Sequence, residues 1–389
     1  MTAQNPQPPL KKRLLQLAGL FLKIGSINFG GPMALIAIME DEFVVKRKWL
    51  SQEHYLDLVA ATNMVPGPNA CEMAGHIGFV RAGYPGLVVA EFSFLIPAVL
   101  LSTALGVIYT RYGSLPQVGA LFYGINPVIL ALILMSTYRL GKKTLVNGSQ
   151  VVIFCLALLA SFLDVNEVIV IFGSGLLAVL ISEGPRIIKK STPLMAMVPF
   201  FTNSTSIKLA QVAADNVLMK LFLFFLKTGS LIFGSGMVLF AFIQEDIVER
   251  YGWLTQQQLI DAIAVGQMTP GPVTSTSAFI GYLIAGFPGA VVSSVGNFLP
   301  SFLIVAAVGP LIPKMRQSKP LQALLRGINA AVIALMISIC LTIAQNAVVD
   351  VWTLLVVLAS GLILFFYRVD SIWLVLGGAA VGLLRFFLG

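Results

Sequence analysis

Charge is what this chain has least of. Of its 389 residues only 11% are Asp, Glu, Lys or Arg, against 57% hydrophobic, and the mean hydropathy is +0.90. A soluble domain of this length needs a far more polar surface, so the composition excludes one and indicates a polytopic membrane protein. Cysteine and histidine are almost as scarce. Cys71, Cys155 and Cys340 lie far apart, and His54 and His76 show no ligand spacing. That excludes a disulfide framework and a structural zinc site. No nucleophile-base-orienter set and no nucleotide loop is present, which argues against an enzyme and calls for no cofactor. No short apolar segment followed by a small-residue cleavage site opens the chain, so its first helix is expected to be retained. The net charge of +8 sits mostly in loops, where anionic lipid headgroups account for it, and no basic-aromatic module points to nucleic acid.

What is present is long apolar runs, and the same text written twice. The runs 86–110, 117–138, 217–243, 288–312, 322–344 and 347–367 are each roughly 20 or more residues, enough to cross about 30 Å of hydrocarbon. Phe29-Gly30-Gly31-Pro32, an acidic pair, Trp49-Leu50, Asp57 and Met64-Val65-Pro66-Gly67-Pro68 return as Phe233-Gly234-Ser235-Gly236, an acidic pair, Trp253-Leu254, Asp261 and Met268-Thr269-Pro270-Gly271-Pro272. Both copies continue through Ile-Gly, Ala-Gly-aromatic-Pro-Gly and Gly-Ile-Asn. Gly and Pro interruptions at matching places in two apolar halves are the mark of a repeat-built transporter and of its binding site.

The expected fold is all-α, with a tail over 1–13, a first repeat over 14–183, a linker over 184–215 and a second repeat over 216–389. The helices flanking Pro-Gly-Pro, about 57–65 and 69–80 in the first copy, are too short to span singly, so each pair is expected to be re-entrant, buried in protein. That leaves five spans per repeat, about ten in all. An odd count inverts the second repeat. Matching loops carry opposite charge bias, as inversion requires. Arg139, Lys142 and Lys143 have no basic counterpart near 345, and Lys314, Arg316 and Lys319 have one, Arg111. Lys11-Lys12-Arg13 fall on the wrong side of this scheme, a misfit relieved only if the first broken helix is itself re-entrant.

The candidate site follows from the breaks. Gly30, Gly31 and Pro32, with Gly234, Ser235 and Gly236, allow a helix to stop and a new one to start. Pro66, Gly67 and Pro68, with Pro270, Gly271 and Pro272, do the same, and Asn69, Thr274 and Ser275 add donors in the first turns. Helix N-termini present amides without intrahelical acceptors to an anion. The alternative is that these are packing kinks. Lys23 and Lys227, seven residues before each break, either face the anion or snorkel, an ammonium in an apolar helix costing roughly 2.5–3.5 kcal/mol. Glu72, four residues past Pro68, with His76 one turn on, either carries a proton for release or pairs structurally with Arg81 or a lysine. Asp57 and Asp261 are expected to cap helices or hold basic partners. Asn126 and Asn329 are expected to donate between helices or to substrate.

Phe29 to Pro32, Trp49-Leu50, Val65 to Glu72, Arg81-Ala-Gly83 and Gly266 to Pro272 through Phe279-Ile-Gly281 resemble the two-domain chromate ion transporter family, over nearly the whole chain from about 20 to 388. The resemblance implies a multi-pass protein of the cell membrane that exports chromate using the proton motive force, its partners being oxyanion, protons and lipid. Sulfate-type uptake or exchange, a passive anion channel and homodimerisation remain open on this reading. The chain departs from the pattern in two places: Gly234-Ser235-Gly236 lacks the proline of the first copy, and Glu72 has no acidic twin.

Overall fold

A computed structural model describes residues 8–27, 31–62, 65–187, 216–233, 236–308, 318–367 and 369–388. The described residues are helical, without a strand. The first repeat comprises α1 (Leu10–Ile27), α2 (Gly31–Glu40), α3 (Gln52–Thr62), α4 (Asn69–Tyr112), α5 (Pro116–Thr144), α6 (Gly148–Phe162) and α7 (Glu167–Ile187). The second comprises α8 (Val217–Gly229), α9 (Leu239–Phe242), α10 (Gln256–Met268), α11 (Thr276–Val308), α12 (Lys319–Ala347), α13 (Val351–Phe366) and α14 (Ser371–Leu388). Five helices are long and apolar enough to cross a membrane, and α6, α7 and α13 are shorter apolar helices. Gly30, Gly234, Ser235, Arg368 and the linker from 188 to 215 lie outside the described residues.

α4 and α11 are each two helices folded back on themselves. Helical geometry fails at Ala82 and Gly83, and again at Ala285 and Gly286, with dihedrals that agree within a few degrees between the copies. Gly83 (φ 65°) and Gly286 (φ 62°) take the left-handed turn that glycine tolerates. After the turn the limbs lie back to back, so close that a Cβ on Gly78 would meet the Gly86 carbonyl, and one on Gly281 the Gly289 carbonyl. The duplicated Ala-Gly-aromatic-Pro-Gly sequence is therefore a helical hairpin.

The two repeats are inverted. The long limbs of α4 and α11 pack together with Phe92 against Phe302 (6.4 Å between rings), while Tyr109 meets Phe279 (5.4 Å) on the short limb of α11. Gly271 lies against Ala98, and Gly67 against Ser301. Contacts that descend along one helix as they climb the other mean antiparallel axes, so equivalent helices of the two copies point opposite ways.

The opening helix, expected as a crossing, instead turns back. A straight continuation would put Phe43 about 33 Å from Phe21 at 1.5 Å per residue, yet their rings stack at 5.2 Å. Lys227 and Asp246, 19 residues apart, likewise meet at 2.6 Å. In each repeat, then, the arms on both sides of the Gly-rich break form one re-entrant pair, and the arms on both sides of Pro-Gly-Pro form another. That leaves four apolar crossing helices per repeat among the described residues rather than five, so the inversion rests on the antiparallel contacts of α4 and α11 and not on an odd count. The turning back also removes the charge misfit. Arg13 donates to the Arg81 carbonyl (2.9 Å), and Arg81 lies over Trp49 (4.3 Å), so the bases at 11–13, 46–48 and 81 share one end of the bundle.

The last two helices of each repeat belong structurally to the other one. α6 and α7 pack along α12, while α13 and α14 pack along α5. Small residues make the approach possible: a Cβ on Gly124 would strike the Gly378 carbonyl, and one on Gly327 the Ser174 carbonyl. Tyr123 donates to Asp350 (2.6 Å) and Arg385 pairs with the same carboxylate (2.6 Å), tying the exchange at its end.

Candidate functional site

Each Pro-Gly-Pro bend sits on the other repeat. The Gly67 amide donates to the Ile232 carbonyl (2.6 Å), at the edge of the second break. Across the pseudo-two-fold, Gly271 lies 3.0 Å from the Ala98 methyl and 3.6 Å from the Gly25 carbonyl, measured from where its Cβ would be. Gly236, opening the second break's new helix, approaches the Thr274 methyl at 3.0 Å on the same basis. Each Pro-Gly-Pro bend therefore meets described residues that flank the other repeat's Gly-rich break. Gly67 (φ 151°) and Gly271 (φ 97°) hold backbone conformations that L-residues avoid, which is why the bends need glycine between their prolines.

The two sides of this meeting point differ in chemistry. Around Gly271 the lining is hydroxyl and amide. Ser102 donates to Ser275 (3.3 Å) and Asn297 donates to the Thr274 carbonyl (3.2 Å). The Thr274 hydroxyl and Asn297 Oδ1 are buried without a partner. Around Gly67 the lining is carboxyl. Glu72 Oε1 lies where a Gly67 side chain would go, with the Ser301 hydroxyl beside it. Glu72 is 0% exposed, and neither of its oxygens has a hydrogen-bond partner. The Ser301 hydroxyl and His76 Nε2 are buried and unpartnered too. Buried polar atoms left unpaired cost free energy, and native structures tolerate few of them, so such a concentration makes this place the candidate site.

Several sequence-derived assignments change. Lys227 does not face the meeting point: it is held by Asp246, whose other oxygen takes Arg250 at 3.5 Å. Lys23 lies on the exposed side of α1. What the duplicated Lys-x-Gly-Ser brings to the site is its glycine. A side chain at Gly25 would collide with the Phe94 carbonyl and one at Gly229 with the Asn297 carbonyl. Glu72 is not paired with Arg81, whose guanidinium lies over Trp49 and reaches Gln16 (3.4 Å). Asp261 is buried and, among the described residues, has no basic partner; it accepts from Tyr109 (2.7 Å), Gln257 (2.8 Å) and Asn126 (3.3 Å), joining the repeats away from the bends. Asn126 thus bonds between helices. Asp57 on α3 and Asn329 on α12 are half-buried, and Gly31 and Pro32 open α2. Pro66 precedes and Pro68 follows Gly67, with Asn69 starting α4, while Pro270 and Pro272 bracket Gly271.

One residue escaped the sequence reading altogether. Glu91, on the long limb of α4, is 1% exposed, and both its oxygens are unpartnered. It faces the short limb, with Oε2 3.1 Å from where a Cβ on Gly75 would sit. A lone acid within the apolar run 86–110 was its only signal. No cluster of His, Cys, Asp and Glu suited to a metal ion occurs among the described residues. A separate cavity of about 330 Å³ lies at the end opposite Arg81, lined by Asp164, Glu167, Glu245 and Glu249. Four acids there suit no anion.

Inverted repeats whose interrupted helices meet at mid-bundle define a class, the multi-pass membrane transporter of inverted-repeat construction. Within that class the particular family is clear: the chromate transporter family model matches residues 15–179 and again 219–383, and the chain belongs to that family. It is 31% identical to a chromate transport protein of Cupriavidus metallidurans, over 96% of this chain and 93% of the relative. It is also 31% identical to a probable chromate transport protein of Synechococcus elongatus, over 88% of each. An uncharacterized transporter of Methanocaldococcus jannaschii is 26% identical over 94% of each chain. No solved structure matches the chain.

Proposed function

We propose that this chain is a secondary active transporter of the plasma membrane that exports a divalent tetrahedral oxyanion, chromate first among them, in exchange for protons. The observation that carries the reading is the reciprocal seating of the Pro-Gly-Pro bends on the opposite repeat, with unpartnered hydroxyl and amide groups on one side and an unpartnered carboxyl on the other. The hydroxyl side, Thr274, Ser275, Ser102 and Asn297 around Gly271, together with the first turns after Pro68 and Pro272, suits the oxygens of an anion. The carboxyl side, Glu72 with His76 one turn on, suits a proton whose arrival and departure alter the charge next to that anion. Charge distribution supports the direction. The basic end belongs in the cytoplasm by the positive-inside rule, where it collects anions, and the acid-lined cavity at the far end discourages their return.

Radiolabelled chromate and sulfate flux into inside-out vesicles, with and without a pH gradient, tests this. Saturable chromate uptake that follows the gradient is expected, and Glu72→Gln should keep flux but flatten its pH response. Flux that neither saturates nor responds to the gradient would make the protein a passive channel, and preference for sulfate would reassign the substrate.

A further inference from the structure

We propose that Glu91 and Glu72 act as one proton-holding carboxyl pair, assembled across the α4 hairpin and confined to the first repeat. This rests on the proton-linked reading above and adds to it a residue and a geometry. Glu72 stands near the start of the short limb, and Glu91 reaches toward the same limb from the long one, at Gly75. Both are enclosed, and none of their four oxygens has a hydrogen-bond partner.

Among the described residues, the groups facing the pair from the packed elements offer no neutralising charge. The short limb contributes Cys71 and His76, and α3 brings His54 toward His76. α11 contributes Ser301 at Glu72 and Val305 at Gly75, and the buried face of α1 is Leu17, Phe21, Ile24 and Gly25. Arg81, lower on the short limb, is engaged by Trp49 and Gln16. Two ionised carboxylates cannot share an enclosed site without a cation, because desolvation and mutual repulsion both oppose it. The pair therefore holds at least one proton. Losing the last would set like charges across the hairpin and push its limbs apart, which couples proton content to shape.

The second repeat supplies an internal comparison. The position of Glu72 corresponds to Thr276 counted from the bend and to Ser275 counted back from Ile-Gly, and that of Glu91 corresponds to Ser294. All three hydroxyls are satisfied: Thr276 donates to the Val273 carbonyl (2.7 Å), Ser294 to the Ala290 carbonyl (2.7 Å), and Ser275 accepts from Ser102. The same hairpin thus folds with bonded hydroxyls at these positions, so packing alone does not call for the acids of the first copy.

The test is infrared titration of the protonated carboxyl carbonyl band in the full-length protein reconstituted in liposomes, for wild type, Glu72→Gln, Glu91→Gln and Glu91→Ser. Coupled groups titrate as a pair, so removing Glu91 should shift the midpoint of the Glu72 band by about one pH unit or more. Serine is what the second repeat carries at this turn, so Glu91→Ser guards against a folding defect in the glutamine variant. An unshifted Glu72 band in both Glu91 variants overturns the pair. The readout needs no oxyanion flux. A coupled titration with flux indifferent to pH would leave the pair standing and sink the transport reading; gradient-driven flux with uncoupled titration would do the reverse.

Discussion

Gly271→Val offers the sharpest probe of the meeting point. At φ 97° any residue other than glycine carries roughly 1–3 kcal/mol of backbone strain. Its Cβ would stand 3.0 Å from the Ala98 methyl, and valine adds two further carbons to that gap, an overpacking cost of about 1–3 kcal/mol. Together these come to about 2–6 kcal/mol. Insertion depends on hydropathy and is untouched, so the loss falls on the docking of the second bend against the long limb of α4. At about 1.4 kcal/mol per decade, chromate flux per inserted molecule should fall about 30-fold or more. Gly286→Ala is the matched control. It too replaces a left-handed glycine (φ 62°), but nothing lies within 4 Å of the new carbon, and it sits at a hairpin tip. It bears only strain of about 1–2 kcal/mol, far from the bends, and flux should stay near wild type. The assay is initial uptake into inside-out vesicles, normalised to membrane-inserted protein by quantitative blot. Wild-type flux in Gly271→Val, or equal losses in the two variants, would refute the reasoning.

Two further outcomes are expected. Lys227→Asp should impair the transporter by setting two acids together, whereas Lys227→Arg, which keeps the charge beside Asp246 (2.6 Å), should retain flux in the vesicle assay; loss of flux in the arginine variant equal to that in the aspartate one would mean that Lys227 does more than hold Asp246. Asp350 is held down at about 2 by the Tyr123 hydroxyl first, then by the Thr353 amide and hydroxyl and the Arg385 charge, against burial. Its folded value lies below the unfolded one of about 3.9, so its contribution is intact above that value and lost as pH falls toward 2. Hydrogen exchange at the start of α13 should therefore accelerate over that window in wild type but not in Asp350→Asn.

Motifs were legible where the backbone imposes a residue type. Gly67 and Gly271 need positive φ, and Gly83 and Gly286 need a left-handed turn, so duplication of these glycines exposed both the repeat and its bends. Side-chain destinations were not legible. Lys227 and Gly229 lie two residues apart in one duplicated motif, and only the packing of α8 on α11 shows that the glycine is required there while the lysine turns to Asp246. Glu91 sits in no motif, because its meaning comes from Gly75 across a hairpin whose fold-back the apolar run does not announce. The turning back of the opening helix was hidden for the same reason: Phe21 and Phe43 are distant in sequence, and no local pattern says whether a helix after a break goes on or returns.

The exchange of α6–α7 for α13–α14 decides what either repeat can be without the other. A cut midway along the chain would split both packed groups, since α5 keeps company with the tail of the later copy and α12 with that of the earlier one. Each packed group is cross-built, drawing helices from both repeats. α5 and α12 also pack on each other, inside one hydrophobic core that runs through both groups. A lesion in one copy will then loosen the packing of the other.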